Sequence, residues 1–318
     1  MLEAVAFLIL GVVVLLGGGE LLVREAIKVA LRARISILVV ASTIVAFATS
    51  APELVVSIYA AFFGTPDISV GNVVGSNISN IGLILGATAI IRPVILRKTT
   101  LTFDWPIMII SALMLIIFSW NFSLGFIEGS IFIICLIFYS SYLIINSRKS
   151  GVDQSNPAKE IEEEEKKAKK HRPVIVHIVL LLVAILALYL GSRWFVWGAT
   201  ELAVYFGVSE RIVALTIVSI GTSLPEMMTS IIAVVKRNAD IAVGSLVGSN
   251  IFNIFSILGI TALLKPIQIS EVFLQLDYFW MIGLSLLLFP LMHKHDKITR
   301  GGGFMLLGFY LLYLVYIL

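Results

Sequence analysis

The stretch TIVAFATSAPELVVSI, at 43–58, is repeated later in the chain as TIVSIGTSLPEMMTSI, at 216–231. A second stretch, DISVGNVVGSNISNI, begins at Asp67 and returns as DIAVGSLVGSNIFNI from Asp240. Both pairs are offset by 173 residues without a gap, and 21 of the 40 aligned positions that begin at Ala41 are identical. Many of the identities are Thr, Ser, Pro, Glu, Gly or Asn, so a bias towards apolar residues does not explain them. The chain therefore contains a duplicated unit.

The composition places this unit in a membrane. Of the 318 residues, 59% are hydrophobic and 14% are charged, and the mean hydropathy is +1.02. These values exclude a secreted or nucleic-acid-binding protein and make the lipid bilayer the expected surroundings. No nucleic-acid or protein partner is predicted. The single cysteine, Cys135, excludes an intrachain disulfide framework and a cysteine-based metal site.

A helical bilayer crossing needs about 20 residues, and more when it is tilted. The apolar runs predict an all-α, polytopic membrane protein with ten transmembrane helices, near 3–31, 36–63, 68–91, 104–121, 124–146, 174–205, 209–235, 241–264, 272–292 and 300–318. Corresponding helices of the two copies lie five spans apart, so the second copy crosses the membrane in the opposite sense. Two inverted-topology repeats of five helices are therefore predicted, with a substrate site at their interface and transport by alternating access.

A long charged segment, which contains the run EIEEEEKKAKK, separates the two copies. We expect a first five-helix repeat at 1–146, a cytoplasmic charged linker at 147–173 and a second, inverted repeat at 174–318. The odd-numbered connections, including the linker, carry 20 of the 23 Lys and Arg residues. By the positive-inside rule this side is cytoplasmic. The sequence thus predicts a multi-pass protein of the cell membrane with both termini extracellular.

Each copy of the motif carries a glutamate, Glu53 or Glu226, in the middle of a predicted span. A charged side chain at the centre of a membrane helix is unfavourable by about 2.5–3.5 kcal/mol on insertion scales. No Lys or Arg lies at a comparable depth in the four helices that carry the motifs. The partner of these carboxylates must therefore be a proton, a bound cation, or both.

Pro52 and Pro225 immediately precede the two glutamates. Each should kink its helix, because proline removes an amide donor and clashes with the carbonyl four residues back. Carbonyls freed in this way are tolerated in a membrane only where they meet other helices, water or an ion. The hydroxyls of Thr49 and Ser50 share a helix face with Glu53. Carboxylate, carbonyl and hydroxyl oxygens together are the ligands of a hard cation such as Ca²⁺, and they also suit Na⁺.

The third and eighth spans add oxygen-bearing side chains that carry no fixed charge. At successive steps of four residues these are Asn72, Ser76 and Asn80 in the third span, and Ser245, Ser249 and Asn253 in the eighth, with Asn77 and Asn250 beside them. Two glutamate-bearing helices packed on these two helices would form a cage. Its fixed charge is minus two if both carboxylates ionise.

The paired motifs ATSAPELVVS with GNVVGSNISN, and GTSLPEMMTS with GSLVGSNIFN, resemble the two alpha repeats of the cation/calcium exchanger superfamily. The resemblance is specifically to the sodium/calcium exchanger branch of prokaryotic type, and it covers the whole chain. It implies a transporter rather than an enzyme. The implied activity is coupled, electrogenic exchange of Na⁺ for Ca²⁺ through overlapping sites, most simply for Ca²⁺ extrusion.

The resemblance also implies a role for each residue that matches the motifs. Glu53 and Glu226 would be the central carboxylates shared by Ca²⁺ and Na⁺. Carbonyls of Thr49 and Thr222 would complete the Ca²⁺ shell. The flanking Na⁺ sites and the middle of the cage would be formed by Ser50, Ser223, Ser76, Ser249, the carbonyls of Ala46 and Ser219, and the side chains of Asn80 and Asn253.

The chain departs from the family pattern at Asn253, where many relatives have Asp. The site therefore lacks a possible third carboxylate, and the number of bound Na⁺ ions and any K⁺ dependence stay open. An H⁺-coupled cation exchanger, a cation channel and an intramembrane acid–base enzyme are also open. The inverted repeat favours alternating access over a channel. The sequence has no HExxH motif and no evident nucleophile and base pair within the repeats, which argues against an enzyme.

Overall fold

The structure is a computed structural model that describes residues 1–33, 35–63, 66–96, 98–150, 173–207, 221, 223–293 and 297–317, without the side chains of 148–150. These residues are almost entirely helical. The helices are α1 (Leu2–Ala33), α2 (Ile37–Thr49), α3 (Ala51–Phe62), α4 (Pro66–Ile91), α5 (Thr100–Asn121), α6 (Phe126–Ser150), α7 (Val174–Tyr205), α8 (Leu224–Val235), α9 (Ala239–Leu264), α10 (Phe273–His293) and α11 (Arg300–Ile317). Four two-residue strands connect them, namely β1 (Val94–Ile95), β2 (Ser123–Leu124), β3 (Ile267–Gln268) and β4 (Lys297–Ile298).

The predicted all-α, polytopic membrane architecture is confirmed. Within the described ranges, eight helices are long and apolar enough to cross a bilayer, and α2 with α3 can form a ninth span that is bent by 43°. The seventh predicted span, near 209–235, is represented mainly by α8, because 208–220 lie outside the described residues. The count of ten spans therefore stays a prediction. Most of the predicted linker, 151–172, also lies outside the described ranges.

Several contacts between the two halves occur twice. In each case the residues of one contact are related to those of the other by the offset of 173 residues, to within one residue. Strand β1 pairs with β4 and strand β2 with β3, both antiparallel. At the end of α3, Lys265 Nζ donates to the Phe62 carbonyl at 3.2 Å, and at the end of α8, Arg92 Nη1 donates to the Val235 carbonyl at 3.4 Å. Each cation lies at the negative end of a helix dipole. Such duplicated contacts support two repeats related by a two-fold axis.

The centre of the molecule is formed by α4 and α9, which are mostly or wholly buried, while the outer helices expose apolar side chains to the bilayer. Helix α9 lies so close to α2 that a methyl group on Gly248 would be 2.6 Å from the Ser42 carbonyl oxygen. Small residues allow membrane helices to approach in this way. The close approach brings the polar face of α9 against the part of α2 that leads into the first motif.

Candidate ion-binding site

The kink predicted in the second span is confirmed. Helix α2 ends at Thr49 and α3 begins at Ala51, while Ser50 between them has φ −86° and ψ 3°. Because the break lies within the span, Glu53 occupies the first turn of a new helix. The positive end of that helix dipole favours a negative charge.

The second motif has the same local structure wherever it is described. Ser223 has φ −90° and ψ 5°, and Glu226 lies in the first turn of α8. Thr222 and Ser219, two of the predicted ligands, lie outside the described residues. The bend expected at the second proline therefore stays a prediction.

The two glutamates lie close enough to each other for their charges to repel. Glu53 is 1% exposed and Glu226 is 2% exposed. In the part of the chain that the structure describes, neither carboxylate forms a salt bridge. An ionised carboxylate buried without a counter-charge is strongly destabilising. The pair therefore requires positive charge from outside the protein.

Predicted ligands from both halves meet at Glu226. Ser50 Oγ donates to Glu226 Oε1 at 3.4 Å and lies 2.7 Å from Ser249 Oγ. Ser249 Oγ in turn donates to the Ala46 carbonyl at 3.4 Å. The Thr49 hydroxyl donates to the same carbonyl at 3.3 Å and lies near the Glu226 carboxylate. Residues separated by about two hundred positions in the chain thus form one polar cluster.

The equivalent cluster around Glu53 is arranged differently. Ser223 and Ser76 are both buried, but no hydrogen bond joins them to each other or to Glu53 within the described ranges. Instead, Asn72 Nδ2 donates to the Glu53 carbonyl and to Ser57 Oγ, both at 3.1 Å. The described contacts of the two clusters therefore differ, and Asn72, which makes part of the difference, corresponds to Ser245 in the second motif.

A symmetric network of four asparagines joins α4 to α9. Asn77 Nδ2 donates to the Asn250 carbonyl at 3.2 Å, and Asn250 Nδ2 donates to the Asn77 carbonyl at 3.3 Å. Asn80 Nδ2 donates to Asn250 Oδ1 and Asn253 Nδ2 donates to Asn77 Oδ1, each at 2.9 Å. These bonds use the amide nitrogens of Asn80 and Asn253. The Oδ1 atoms of the two side chains are therefore available as acceptors or as ligands of a cation.

Asn77 and Asn250 were not among the predicted site residues. The signal that could have identified them is their place in the duplicated GSN sequence, directly after Ser76 and Ser249. Because they are neighbours of the ligand positions rather than members of the same helix face, spacing alone gave them no role. The structure shows that they orient the two asparagines that were predicted.

The buried oxygens that have no hydrogen-bond partner in the described part of the chain include four from the predicted ligands: Oε2 of Glu53, Oε2 of Glu226, Oδ1 of Asn80 and Oδ1 of Asn253. The π-helical turn of α4 that begins at Asn80 packs on α8, and the π-helical turn of α9 that begins at Asn253 packs on α3. Short π-helical turns are frequent at functional sites. Buried acceptors without partners are rare and costly in native proteins. A cation would satisfy all four.

The chemistry of this set favours a hard cation. Among the described residues, no group of three or more His, Cys, Asp and Glu side chains could hold a metal ion. The site offers two carboxylates together with amide, hydroxyl and carbonyl oxygens, while the nearby sulfurs of Met281 and Met108 accept from the Asn77 and Asn250 amides. Ca²⁺ takes about 6–8 oxygen ligands of these kinds, whereas soft transition metals prefer nitrogen and sulfur.

The chain matches the family model described as sodium/calcium exchanger protein, over residues 3–146 and 176–318. CaxA from Alkalimonas amylolytica is 34% identical over 96% of both chains. The sodium/calcium exchanger MaX1 from Methanosarcina acetivorans is 30% identical over 97% of this chain and 96% of its own. A solved structure of the sodium-calcium exchanger NCX_Mj, soaked with zero Na⁺ and Ca²⁺, superposes with a TM-score of 0.81 at 30% identity, over 100% of this chain and 99% of that one. The chain therefore belongs to the sodium/calcium exchanger family.

Proposed function

We propose that this protein is a secondary active antiporter that exchanges Na⁺ for Ca²⁺ by alternating access. The observation that carries the proposal is the set of four buried oxygens without partners, contributed in equal pairs by the two motifs. Glu53 and Glu226 act as the carboxylates shared by both ions. The further ligands that we propose are Thr49, Thr222, Ser50, Ser223, Ser76, Ser249, Asn80, Asn253 and the carbonyls of Ala46 and Ser219.

The electrostatics of the site explain obligatory exchange. With both glutamates ionised, the empty site carries a charge of minus two in a low-dielectric interior, where unpaired charge is strongly unfavourable. One Ca²⁺ or two Na⁺ ions neutralise the site, and a third Na⁺ ion gives it a charge of plus one. Either load permits the conformational change that moves the site from one side to the other, whereas the vacant site stays in place. A transporter of this kind cannot leak one ion without carrying the other.

The proposed direction is Ca²⁺ extrusion across the cell membrane, driven by inward Na⁺. The charge distribution supports extracellular termini and a cytoplasmic linker at 147–173, between a first repeat at 1–146 and a second repeat at 174–318. With three Na⁺ exchanged for one Ca²⁺, one net charge crosses per cycle, which is worth about 2.3 kcal/mol per 100 mV. Exchange is then electrogenic, and the membrane potential contributes to extrusion.

A transport measurement tests the proposal. The full chain is reconstituted into proteoliposomes, and radiocalcium uptake is followed under an imposed Na⁺, K⁺ or proton gradient, each tested separately. We expect uptake with an outward Na⁺ gradient and stimulation by an inside-positive potential. Uptake driven by a pH gradient without Na⁺ would instead establish the H⁺-coupled exchanger. Uptake without any counter-ion gradient would establish a channel.

Two variants test the site directly. Glu53→Gln and Glu226→Gln each remove one negative charge with little change in shape, so exchange should be abolished while the protein still folds, as judged by thermal unfolding. Ser111→Ala is the matched control, because the Ser111 hydroxyl is buried but bonds only to the Met108 carbonyl of its own helix. Near-normal exchange by either glutamine variant would refute the assignment of the carboxylates.

A further inference from the structure

A cleft of about 710 Å³ opens on the outer surface between α3, α7 and α8. Its rim is formed by side chains that are strongly exposed on membrane-spanning helices, including Val55 at 68%, Leu182 at 60% and Leu186 at 55%. In a helix that crosses the bilayer, such exposure is towards lipid. The volume is within the range of roughly 300–1,000 Å³ that holds a drug-sized ligand. Because most of the lining is apolar, hydrocarbon fills this cleft more favourably than water.

One end of the cleft carries the only charged residue of its described lining, Arg193. The guanidinium lies 5.9 Å from the centre of the Tyr189 ring, and in the described part of the chain it forms no ion pair. Thr200, two turns further along α7, also lines the cleft, and its hydroxyl has no hydrogen-bond partner among the described residues. The polar groups of the cleft are thus concentrated towards one end.

The depth of Arg193 corresponds to the headgroup region of the membrane. A second, smaller cleft is lined by both Arg193 and Glu3, and Glu3 lies in the first turn of α1. Trp194 and Trp197 pack on Phe7 in the same region, with ring centroids 6.3 and 4.9 Å away. Tryptophan is enriched at membrane–water interfaces, and arginine near helix ends extends its charge to the same level. The cationic end of the cleft therefore lies where lipid phosphates lie.

We propose that this cleft binds one acidic phospholipid of the surrounding membrane, with an acyl chain in the apolar part and the phosphate on Arg193. Arginine binds phosphate through paired, charge-assisted hydrogen bonds. Glu3 lies across Arg193 in the neighbouring cleft and does not neutralise it. The headgroup thus supplies the negative charge that no described protein residue provides.

The inner wall of the cleft gives this lipid a place next to the ion site. It is formed by Ala51 and Pro52 on one side and by Gly221 and Pro225 on the other. Pro52 and Pro225 immediately precede the two buried glutamates, so an acyl chain in the cleft contacts both proline positions from the bilayer side. The bound lipid then lies between the polar cluster around Glu226 and the acyl chains of the surrounding bilayer.

The position that corresponds to Arg193 in the other repeat carries the opposite charge. Glu20 occupies the position equivalent to Arg193 and forms a salt bridge with Lys236. Next to Glu20, the Ile232 side chain packs directly against Gly19 and closes the interface between α1 and α8. The proposed lipid site therefore belongs to the α7 side, and a single lipid per chain is expected.

Native mass spectrometry of the full chain tests the proposal without any measurement of transport. The purified protein is mixed with phosphatidylglycerol or phosphatidylcholine that have identical acyl chains. We expect one phosphatidylglycerol to remain bound after detergent removal, in preference to phosphatidylcholine. Arg193→Gln should lower this retention by about tenfold, as expected for the loss of a charge-assisted hydrogen bond, and Arg193→Lys should restore part of it.

Two further variants fill the apolar part from opposite walls. Val55→Trp and Leu186→Trp should each reduce retention of both lipids, and because both positions are exposed, the fold should tolerate them. Lys265→Gln is the control, since Lys265 is basic but does not line the cleft. The proposal is overturned if Arg193→Gln keeps the wild-type preference for phosphatidylglycerol, or if both tryptophan variants retain lipid as the wild type does. Lipid retention and ion exchange are separate measurements. A negative result for lipid retention would therefore leave the proposed ion exchange untouched.

Discussion

Replacement of Asn250 by Ala should weaken Ca²⁺ binding although Asn250 is not a proposed ligand. The Asn250 Oδ1 atom accepts the 2.9 Å hydrogen bond from Asn80 Nδ2 and so fixes the direction of the Asn80 amide. Without this acceptor, the amide can rotate, and its Oδ1, which is buried without a partner among the described residues, is no longer held in one orientation. The variant also leaves the Asn77 carbonyl without the bond from Asn250 Nδ2.

The magnitude follows from these two contacts. An interhelical hydrogen bond in a membrane contributes about 0.6–1.7 kcal/mol. Loss of both bonds should therefore lower the free energy of unfolding by about 1–3 kcal/mol. Residues that orient metal ligands typically change metal affinity by about 10–100-fold when they are replaced. We expect the lower end of that range, because only one of the ligands is released.

Calorimetric titration of the purified protein with Ca²⁺, together with thermal unfolding, measures both effects. Asn77→Ala serves as a paired variant, because the Asn77 side chain makes the equivalent bonds: its Oδ1 accepts from Asn253 Nδ2 and its Nδ2 donates to the Asn250 carbonyl. The two variants should have similar effects, because each removes two of the four hydrogen bonds of the network. Wild-type Ca²⁺ affinity in both single variants would refute the orienting role. A large difference between them would refute the two-fold equivalence of the network.

Two further predictions concern packing and asymmetry. Gly248→Ala should destabilise the protein by about 1–3 kcal/mol, because the new methyl group would lie 2.6 Å from the Ser42 carbonyl oxygen. Gly75→Ala should be nearly neutral, because no atom of the described residues outside its own helix lies within 4 Å of the equivalent methyl position. Equal melting temperatures of the two variants would contradict this difference. Ser50→Ala should lower the free energy of unfolding by about 1 kcal/mol more than Ser223→Ala, since only the Ser50 hydroxyl contacts a glutamate and a second serine within the described structure. Equal free energies of unfolding for these two variants would show that the different contacts of Ser50 and Ser223 do not affect stability.

The sequence by itself determined the membrane architecture, the duplication and the two acidic centres. Hydrophobic runs of sufficient length can satisfy their backbone only as helices, so the all-α fold follows from composition and spacing. The constant offset between the motifs requires equivalent partners in both halves, as the strand pairs and the basic caps at Phe62 and Val235 illustrate. Pro52 predicted the 43° bend because proline acts on its own helix.

The tertiary structure alone decided which atoms of these residues are available to an ion. The direction of the Asn80 amide depends on Asn250 in a helix of the other half, and no local spacing specifies the rotation of one helix against another. The hydrogen bonds of Ser50, which have no counterpart at Ser223 among the described residues, likewise depend on packing across the interface. Two similar sequences specify similar helices, but packing chooses one arrangement in which the copies are not equivalent, and only contacts across the interface record that choice.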